Sequence, residues 1–318
     1  MKSYESFTRA YVDLCRLIRD EHEFESAPRG MKIKESLGVQ FRIKNPRDRL
    51  PLVAARNFSA AYFVAETLWY LSGSDSTAWI SRYASFWKNI TDDGVTANSA
   101  YGARIFRPHD RIANRGIVQW DYVKEELRKD PDSRRAVIHI RTPDDSLHAV
   151  KDVPCTLALQ FFIREGKLHL HVNMRSSDII LGIAYDVPAF TMMQEIMANE
   201  LGVGLGEYVH TSNSLHCYER DFEMLDAIAN DEDAKGCPMM PLPEVFPTEK
   251  LLAYEGMVWG LGEAELRDGV HEMGREEQLV RDWTLVLGSF RARKLKDDRL
   301  AKIQLLSTSD RVYHFYNR

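Results

Sequence analysis

The sequence predicts an α+β domain in which a mixed β-sheet is flanked by helices. Two stretches, residues 3–19 and 59–72, carry apolar residues at helical spacing. Two others, residues 156–163 and 167–173, have the composition of strands and are separated by a three-residue turn. A chain of 318 residues fits one large domain or two small ones. We expect one catalytic domain spanning residues 1–318, because no stretch of the chain resembles an inter-domain linker.

The N-terminal part supplies two helices and a short strand in this prediction. Residues 3–19 repeat apolar side chains three and four positions apart, which is typical of an amphipathic helix. These side chains are Tyr4, Phe7, Tyr11, Leu14, Cys15 and Ile18. The tripeptide at residues 28–30, Pro-Arg-Gly, marks a loop before a strand at residues 39–43. Residues 59–72 contain no Gly or Pro and precede Gly73, which predicts a buried helix that ends there.

The central part supplies the strands of the sheet. We predict strands at residues 136–140, 156–163 and 167–173, and side chains alternate between apolar and polar along the last of them. That strand therefore has one face for the core and one polar face. Further along, Pro188 predicts the start of a helix that Gly202 ends.

Composition and charge restrict the class of protein. Hydrophobic residues make up 44% of the chain and charged residues 28%, and no apolar run approaches the ~20 residues that span a bilayer. The net charge of -5 argues against a general nucleic-acid binder, whose surface is usually basic. The four cysteines form no CxxC pair, and the N-terminus lacks an apolar signal core. We therefore expect a cytoplasmic protein with no membrane and no nucleic-acid partner.

Four short motifs carry the chemistry. Residues 152–156 are Asp-Val-Pro-Cys-Thr, residues 175–178 are Arg-Ser-Ser-Asp, and residues 181–186 and 216–218 are Leu-Gly-Ile-Ala-Tyr-Asp and His-Cys-Tyr. A thiol, an arginine suited to phosphate and a polar turn together indicate a nucleophile in a nucleotide pocket. The set resembles the thymidylate synthase family, whose pattern is Pro-Cys, Arg-Ser-x-Asp, Leu-Gly-x-x-x-Asn and His-x-Tyr. The exception is Asp186, which replaces the asparagine, as in the cytidylate hydroxymethylase branch of the family.

The resemblance implies a thymidylate synthase-like sheet that dimerises through the sheet, and it implies four catalytic residues, of which Asp186 also reads the base. In the family a thiolate adds to C6 of a pyrimidine nucleotide, so that C5 can attack a one-carbon electrophile. Cys155 matches the nucleophile, Glu66 matches the carboxylate that organises proton movement, and Tyr101 matches a tyrosine near the nucleophile. Without the resemblance, Cys155 would be interpreted as a small buried hydrophobic residue. Glu66 would be interpreted as a residue on the solvent-exposed edge of its helix, and Tyr101 as a packed aromatic residue.

Four arginines and a hydroxyl match the family's phosphate site. They are Arg29, Arg134, Arg135, Arg175 and Ser176. A guanidinium group can donate two parallel hydrogen bonds to phosphate oxygens, so several arginines suit a doubly charged phosphate group. By the resemblance Arg175 also lowers the pKa of the nucleophile, whereas Arg134 and Arg135 reach into the site of the neighbouring subunit, which implies a homodimer. In most proteins such an arginine pair would be a solvated charge run.

The same resemblance assigns the residues that bind the sugar and the base. His216 and Tyr218 match the pair that binds the sugar 3′-hydroxyl, and Gln160 matches a position beside the nucleotide. Asp186 occupies the position that reads the base, where a protonated carboxyl complements the N3 acceptor and N4 amino donor of cytosine. Alternatively, Asp186 would cap a helix that begins at Pro188.

The match to the positions that bind folate in the family is less complete. Four residues match family positions around the pterin: Trp87, Asp178, Gly182 and Tyr185. Asp152 replaces a leucine, Ile90 replaces the family's second indole, and residues 315–318 replace an apolar tail, which together predict a wetter site. The resemblance implies 5,10-methylenetetrahydrofolate as the co-substrate. We expect no metal, because no ligand spacing indicates one.

The predicted function is a cytidylate 5-hydroxymethylase that acts on CMP or dCMP, with water completing the reaction. The alternatives are a reductive methylase of dUMP or dCMP and a catalytically silent nucleotide-binding protein. The choice of sugar stays open. The resemblance covers about residues 29–221, and the chain diverges from about residue 222. Residues 230–250 contain four prolines and little periodicity, so we expect an irregular surface segment there.

Overall fold

In a computed structural model that describes residues 1–108, 116–146, 150–262, 265–266 and 277–316, eight strands form one mixed sheet. The strands are β1 (Lys2–Tyr4), β2 (Phe24–Ser26), β3 (Ile33–Ile43), β4 (Val137–His139), β5 (Thr156–Arg164), β6 (Lys167–Met174), β7 (Ser177–Asp178) and β8 (Gly204–Tyr218). Their order across the sheet is β1-β3-β8-β6-β5-β4, with β2 on β3 and β7 on β8. Pairings β1–β3, β6–β8 and β7–β8 are parallel and the others antiparallel.

Helices flank this sheet, which confirms the predicted α+β class. They are α1 (Phe7–Asp20), α2 (Ala60–Leu71), α3 (Thr77–Ile80), α4 (Trp87–Ile90), α5 (Tyr101–Phe106), α6 (Gln119–Lys129), α7 (Ile183–Leu201), α8 (Phe222–Ala229), α9 (Thr248–Gly260), α10 (Gln278–Lys294) and α11 (Asp298–Leu306). Helices α1 and α7 pack on the sheet, and α2 packs on α7. The core between these layers is apolar, because one face of each strand and helix carries the buried side chains.

Two helix boundaries differ from the prediction. The first helix begins at Phe7 and not at residue 3, because Lys2–Tyr4 pairs with β3 and the Ser6 hydroxyl accepts a hydrogen bond from a backbone amide of α1. Helix α7 begins at Ile183, so the prediction that Pro188 opens it was wrong. The Asp186 amide already donates to the carbonyl of Gly182, which also rules out Asp186 as the cap of this helix.

The remaining predicted elements near the site are confirmed, with small shifts. Helix α2 follows its Ser59 cap and ends before Gly73. The β5–β6 hairpin turns through Glu165 and Gly166, whose φ angles of 52° and 68° fit a tight turn between twisted strands. The strand predicted at residues 39–43 is longer, since β3 pairs with β8 along most of its length.

The C-terminal helices pack against the helix that carries Glu66. Trp283 of α10 lies edge-on to Phe63 of α2, with ring centroids 6.2 Å apart. The predicted irregular segment is confirmed up to Thr248, where α9 begins. Of the polar chain end, Tyr316 packs 5.3 Å from the ring of Phe58, and residues 317–318 lie outside the described residues.

Candidate active site

Thirteen of the sixteen predicted site residues line one cavity of about 290 Å³. They are Arg29, Glu66, Trp87, Tyr101, Cys155, Arg175, Ser176, Asp178, Gly182, Tyr185, Asp186, His216 and Tyr218. These residues come from loops, from α2, α4, α5 and α7, and from the ends of β7 and β8. The fold therefore brings together residues that are as far apart as 29 and 218 in the sequence.

Arg175 holds the segment that carries the thiol. Its Nε donates to the carbonyl of Pro154 and its Nη2 to the carbonyl of Val153, both at 2.9 Å. The same Nη2 lies 3.6 Å from the Cys155 Sγ. One guanidinium thus fixes the backbone on the N-terminal side of the nucleophile and contacts its sulfur.

The expected lowering of the thiol pKa is only part of the balance. Burial raises the pKa of Cys155, the Arg175 guanidinium lowers it, and negative charge on Asp186 or Asp152 raises it again. The net direction is upward, although the contribution of Arg175 is the expected one. Arginine has the predicted sign, but burial and two neighbouring acids outweigh it.

Glu66 lies at the centre of a buried hydrogen-bond chain and not at a wet helix edge. The Tyr62 hydroxyl donates to Glu66 Oε1 at 2.6 Å, and Trp87 Nε1 donates to that hydroxyl at 3.1 Å. Tyr70 also donates to the carboxylate. Burial raises the pKa of Glu66 to about 7, against the lowering effect of the two tyrosines. A carboxyl with this pKa can both hold and release a proton near neutral pH.

Two residues of this hydrogen-bond network were not predicted from the sequence, although their spacing from Glu66 indicates them. Tyr62 and Tyr70 lie four residues before and after Glu66, so all three share one face of α2. A carboxylate between two tyrosines at that spacing predicts a buried polar cluster.

Tyr101 reaches the cavity because α5 approaches α2 very closely. At Gly102 a Cβ atom would lie 2.1 Å from the carbonyl oxygen of Tyr70, so the next residue after Tyr101 has to be glycine. The Tyr101 ring lies 5.4 Å from the ring of Tyr70, and burial raises the pKa of its hydroxyl, with contributions from the charges of Asp186 and Cys155. The tyrosine therefore lies between the Glu66 cluster and the nucleophile.

Asp186 is buried in the first turns of α7, with its side chain on the cavity. Burial raises its pKa well above the ordinary range, and the charges of Glu66 and Asp178 act in the same direction. These effects favour the protonated carboxyl, which offers one hydrogen-bond donor and one acceptor.

The wall on the predicted folate side is aromatic and contains a fixed carboxylate. Tyr185 lies edge-on to Tyr62 at 4.7 Å, and its hydroxyl accepts a hydrogen bond from the Ser59 amide. Asp178 Oδ1 accepts hydrogen bonds from two backbone amides at the following turn. At Gly182 a Cβ would lie 3.0 Å from the carbonyl oxygen of Asp178, so this turn is too tight for a larger residue.

The opposite end of the cavity is cationic and continues into a second cavity of about 600 Å³. Arg29, in a left-handed conformation with φ 55°, lines both cavities together with Arg175. Arg141 and Lys151 line the second cavity as well. No motif predicted these two cations, because each is isolated among unrelated residues.

Three predicted residues do not line either cavity of their own chain. Arg134 and Arg135 are exposed directly before β4. The Gln160 side chain on β5 donates to the backbone carbonyl of Arg134 at 2.9 Å, and Arg135 Nε lies 2.8 Å from a carboxylate oxygen of Glu126. A contact between Gln160 and nucleotide within one chain is therefore not supported by this geometry.

No described helix is long and apolar enough to cross a membrane. No group of three or more His, Cys, Asp or Glu residues in the described ranges is arranged to hold a metal ion.

Comparison with known proteins finds a matching family model, and one of the curated relatives that match carries a function in its name. The family model described as thymidylate synthase matches residues 9–252, which extends the match on both sides of the range expected from the motifs. A deoxyuridylate hydroxymethyltransferase of Bacillus phage SP01 is 36% identical over 222 residues. That alignment covers 68% of this chain and 58% of the relative, so the chain matches little more than half of the relative's length.

Proposed function

Because the chain belongs to the thymidylate synthase family, we propose that it transfers a one-carbon unit to C5 of a pyrimidine nucleoside monophosphate and that water completes the reaction. The product is a 5-hydroxymethyl nucleotide. The observation that carries this proposal is the single cavity that contains a thiol, a buried glutamic acid, a buried aspartic acid and an arginine-lined end.

In this proposal Cys155 forms the covalent bond to the nucleotide. Its sulfur adds to C6 of the base, and the electron density moves to C5, which becomes nucleophilic. Arg175 positions this thiol and favours its ionised form, which offsets part of the cost of burial. Glu66 and its tyrosines move the protons at the base, since the pKa of about 7 suits both directions of transfer.

The co-substrate in this proposal is 5,10-methylenetetrahydrofolate, which supplies the one-carbon unit. The wall formed by Trp87, Leu181 and Tyr185 suits a planar pterin, and the Asp178 carboxylate offers acceptors to its N–H groups. These residues fit the group in chemical character. They hold it against the nucleotide and exclude part of the solvent.

We propose a cytidylate as the preferred nucleotide. A neutral Asp186 donates to cytosine N3 and accepts from the N4 amino group, and an ionised Asp186 pairs with an N3-protonated cytosine. Uracil matches only the neutral acid, which then accepts from N3 and donates to O4. Cytosine is thus complementary to both protonation states of this side chain, and uracil to one.

A uridylate is the second candidate, and one finding favours it. The relative from Bacillus phage SP01 is described as acting on deoxyuridylate. The raised pKa of Asp186 favours the protonated acid, which is the state that pairs with uracil.

We expect the Asp186→Asn variant to lower cytidylate use and raise uridylate use. An amide cannot become an anion, so it loses the ion pair with N3-protonated cytosine while keeping a match to uracil. One such mismatch is worth about 1–3 kcal/mol, or roughly 5- to 150-fold in the ratio of kcat/KM values. Steady-state kinetics with CMP, dCMP, UMP and dUMP measure that ratio. An unchanged ratio would place base discrimination at another residue.

The fate of the folate tests hydroxymethylation against reductive methylation. A methylase oxidises its folate once per turnover, so dihydrofolate absorbance rises with product. In the proposed reaction no such rise is expected, and the product carries a hydroxymethyl group whose oxygen comes from labelled water. Mass spectrometry of the nucleotide in ¹⁸O water checks both points. A methyl product with stoichiometric dihydrofolate would replace the proposal by the methylase.

We further propose that the active unit is a homodimer whose subunits exchange Arg134 and Arg135. Both arginines are exposed and lie away from the chain's own cavity, although the phosphate end of that cavity has room for further cations. A dianion is best neutralised by several guanidinium groups, and a partner subunit is the source that the family pattern implies.

A further inference from the structure

Four carboxyl groups line the catalytic cavity, and the proposed reaction gives a task to three of them. They are Glu66, Asp152, Asp178 and Asp186. Glu66 moves protons at the base, Asp178 holds the turn on the folate side, and Asp186 reads the base. Asp152 is left without a role, although a buried carboxyl on a reaction cavity is costly unless it is used.

Asp152 is held in place beside the nucleophile. It lies three residues before Cys155, and its side chain is only 8% exposed. Its Oδ2 accepts a hydrogen bond from the Ser99 amide at 2.8 Å, and Ser99 precedes Tyr101 by two residues. The Asp152 charge also contributes to the raised pKa of Cys155, which places the carboxyl within electrostatic reach of the sulfur.

The proposed hydroxymethylation needs a base for water at this place. After Cys155 has added to C6 and the folate has left, the nucleotide carries an exocyclic methylene at C5. Water is a weak nucleophile toward such a carbon, and its attack is faster when a carboxylate removes its proton. The side chains of Trp87 and Ile90 carry no base themselves, and Glu66, which reaches Trp87 through Tyr62, already serves the proton transfers at the nucleotide base.

Resting on that proposed function, we infer that Asp152 is the general base that activates the water which attacks the exocyclic methylene. The water oxygen bonds to the methylene carbon, its proton passes to Asp152, and the electron pair of the exocyclic double bond moves into the ring. The ring pair then forms the C5–C6 double bond and expels the Cys155 thiolate. The proton on Asp152 returns through solvent to that thiolate, so no oxidant or reductant is consumed.

The electrostatics of the site suit this role. Burial raises the pKa of Asp152, while the hydrogen bonds from Ser99 lower it and the net direction is upward. A carboxylate with a raised pKa is a stronger base than an exposed one. The backbone hydrogen bond fixes its position, so little reorganisation is needed when water attacks.

The reverse reaction gives a test without folate. When 5-hydroxymethyl-dCMP or 5-hydroxymethyl-dUMP is incubated with the protein in ¹⁸O water, Cys155 addition expels hydroxide and water re-adds, so the hydroxymethyl oxygen exchanges. In Asp152→Asn, which keeps the size and the acceptor for Ser99, we expect this exchange to fall by about 10²- to 10⁴-fold. Deuterium exchange at C5 of dCMP or dUMP in heavy water needs Cys155 but not Asp152. We expect that exchange to stay within about threefold.

The matched control is Asp92→Asn. Asp92 is exposed and accepts a hydrogen bond from the Lys151 amide at 3.2 Å, so it holds the same segment without lining the cavity. Both exchange rates should persist in this variant.

Equal loss of the two exchanges in Asp152→Asn would make Asp152 a structural residue and overturn the inference, as would unchanged oxygen exchange. If the unmodified protein exchanges C5 hydrogen but never the hydroxymethyl oxygen, the proposed hydroxymethylation itself fails and the inference fails with it.

Discussion

Replacing Cys155 by Ala is expected to abolish turnover while nucleotide affinity largely survives. The proposed thiolate forms the bond that makes C5 reactive, and no other thiol lines the described cavity. We expect a loss on the order of 10⁴-fold or more in kcat, because removing a covalent nucleophile removes the whole route. Cys155→Ser should behave alike, since an alcohol is far less ionised than a thiol. Product mass and calorimetric nucleotide binding measure the two properties.

The control for this prediction is Cys237→Ala. Cys237 is a free thiol outside the cavity, so activity should be retained. Substantial residual turnover in Cys155→Ala, or loss of nucleotide binding together with activity, would argue against a covalent mechanism.

Sequence motifs predicted the site better than they predicted the elements that carry it. Cys155, Arg175 and Asp186, which the family pattern singled out, do line one cavity, and their roles there stay predictions. The start of α7 was misjudged for a physical reason. Pro188 is favoured at a first turn but tolerated later, and here Asp186 and its neighbours were already helical.

The balance of charges around the thiol could not be obtained from the sequence. Arg175 was expected to lower the pKa of Cys155, and it does, but burial and neighbouring acids raise that pKa further. The positions of Asp152 and Asp186 relative to the sulfur depend on how a loop and a helix pack. Only the folded arrangement shows that two acids oppose the arginine.

The hydrogen-bond network around Glu66 could be predicted from the sequence only in part. Its carboxylate was predicted from the family pattern, and its two tyrosines could have been found from helical spacing alone. Trp87 belongs to the same hydrogen-bond network but lies on another helix, so its contact with Tyr62 depends on tertiary packing. Local periodicity thus gives the members on one helix, while the full network requires the fold.

The shared phosphate site leads to the second large effect, which is recovery of activity on mixing two inactive variants. Arg134→Ala removes a cation from the neighbouring site, and Cys155→Ala removes the nucleophile of its own site. If the subunits exchange arginines, each heterodimer has one site with an intact thiol and an intact partner Arg134, and the other site lacks both. Random mixing should then restore about a quarter of the unmutated activity, because half of the dimers are mixed and each has one of two sites.

Co-expression with two different affinity tags, followed by tandem purification, isolates the heterodimer, and product analysis then measures its activity. Lys129→Ala is the control, since Lys129 ends α6 on the surface nearby and lines no described cavity, so its mixture with Cys155→Ala should only dilute activity. An inactive purified heterodimer would show that Arg134 does not serve the neighbouring site.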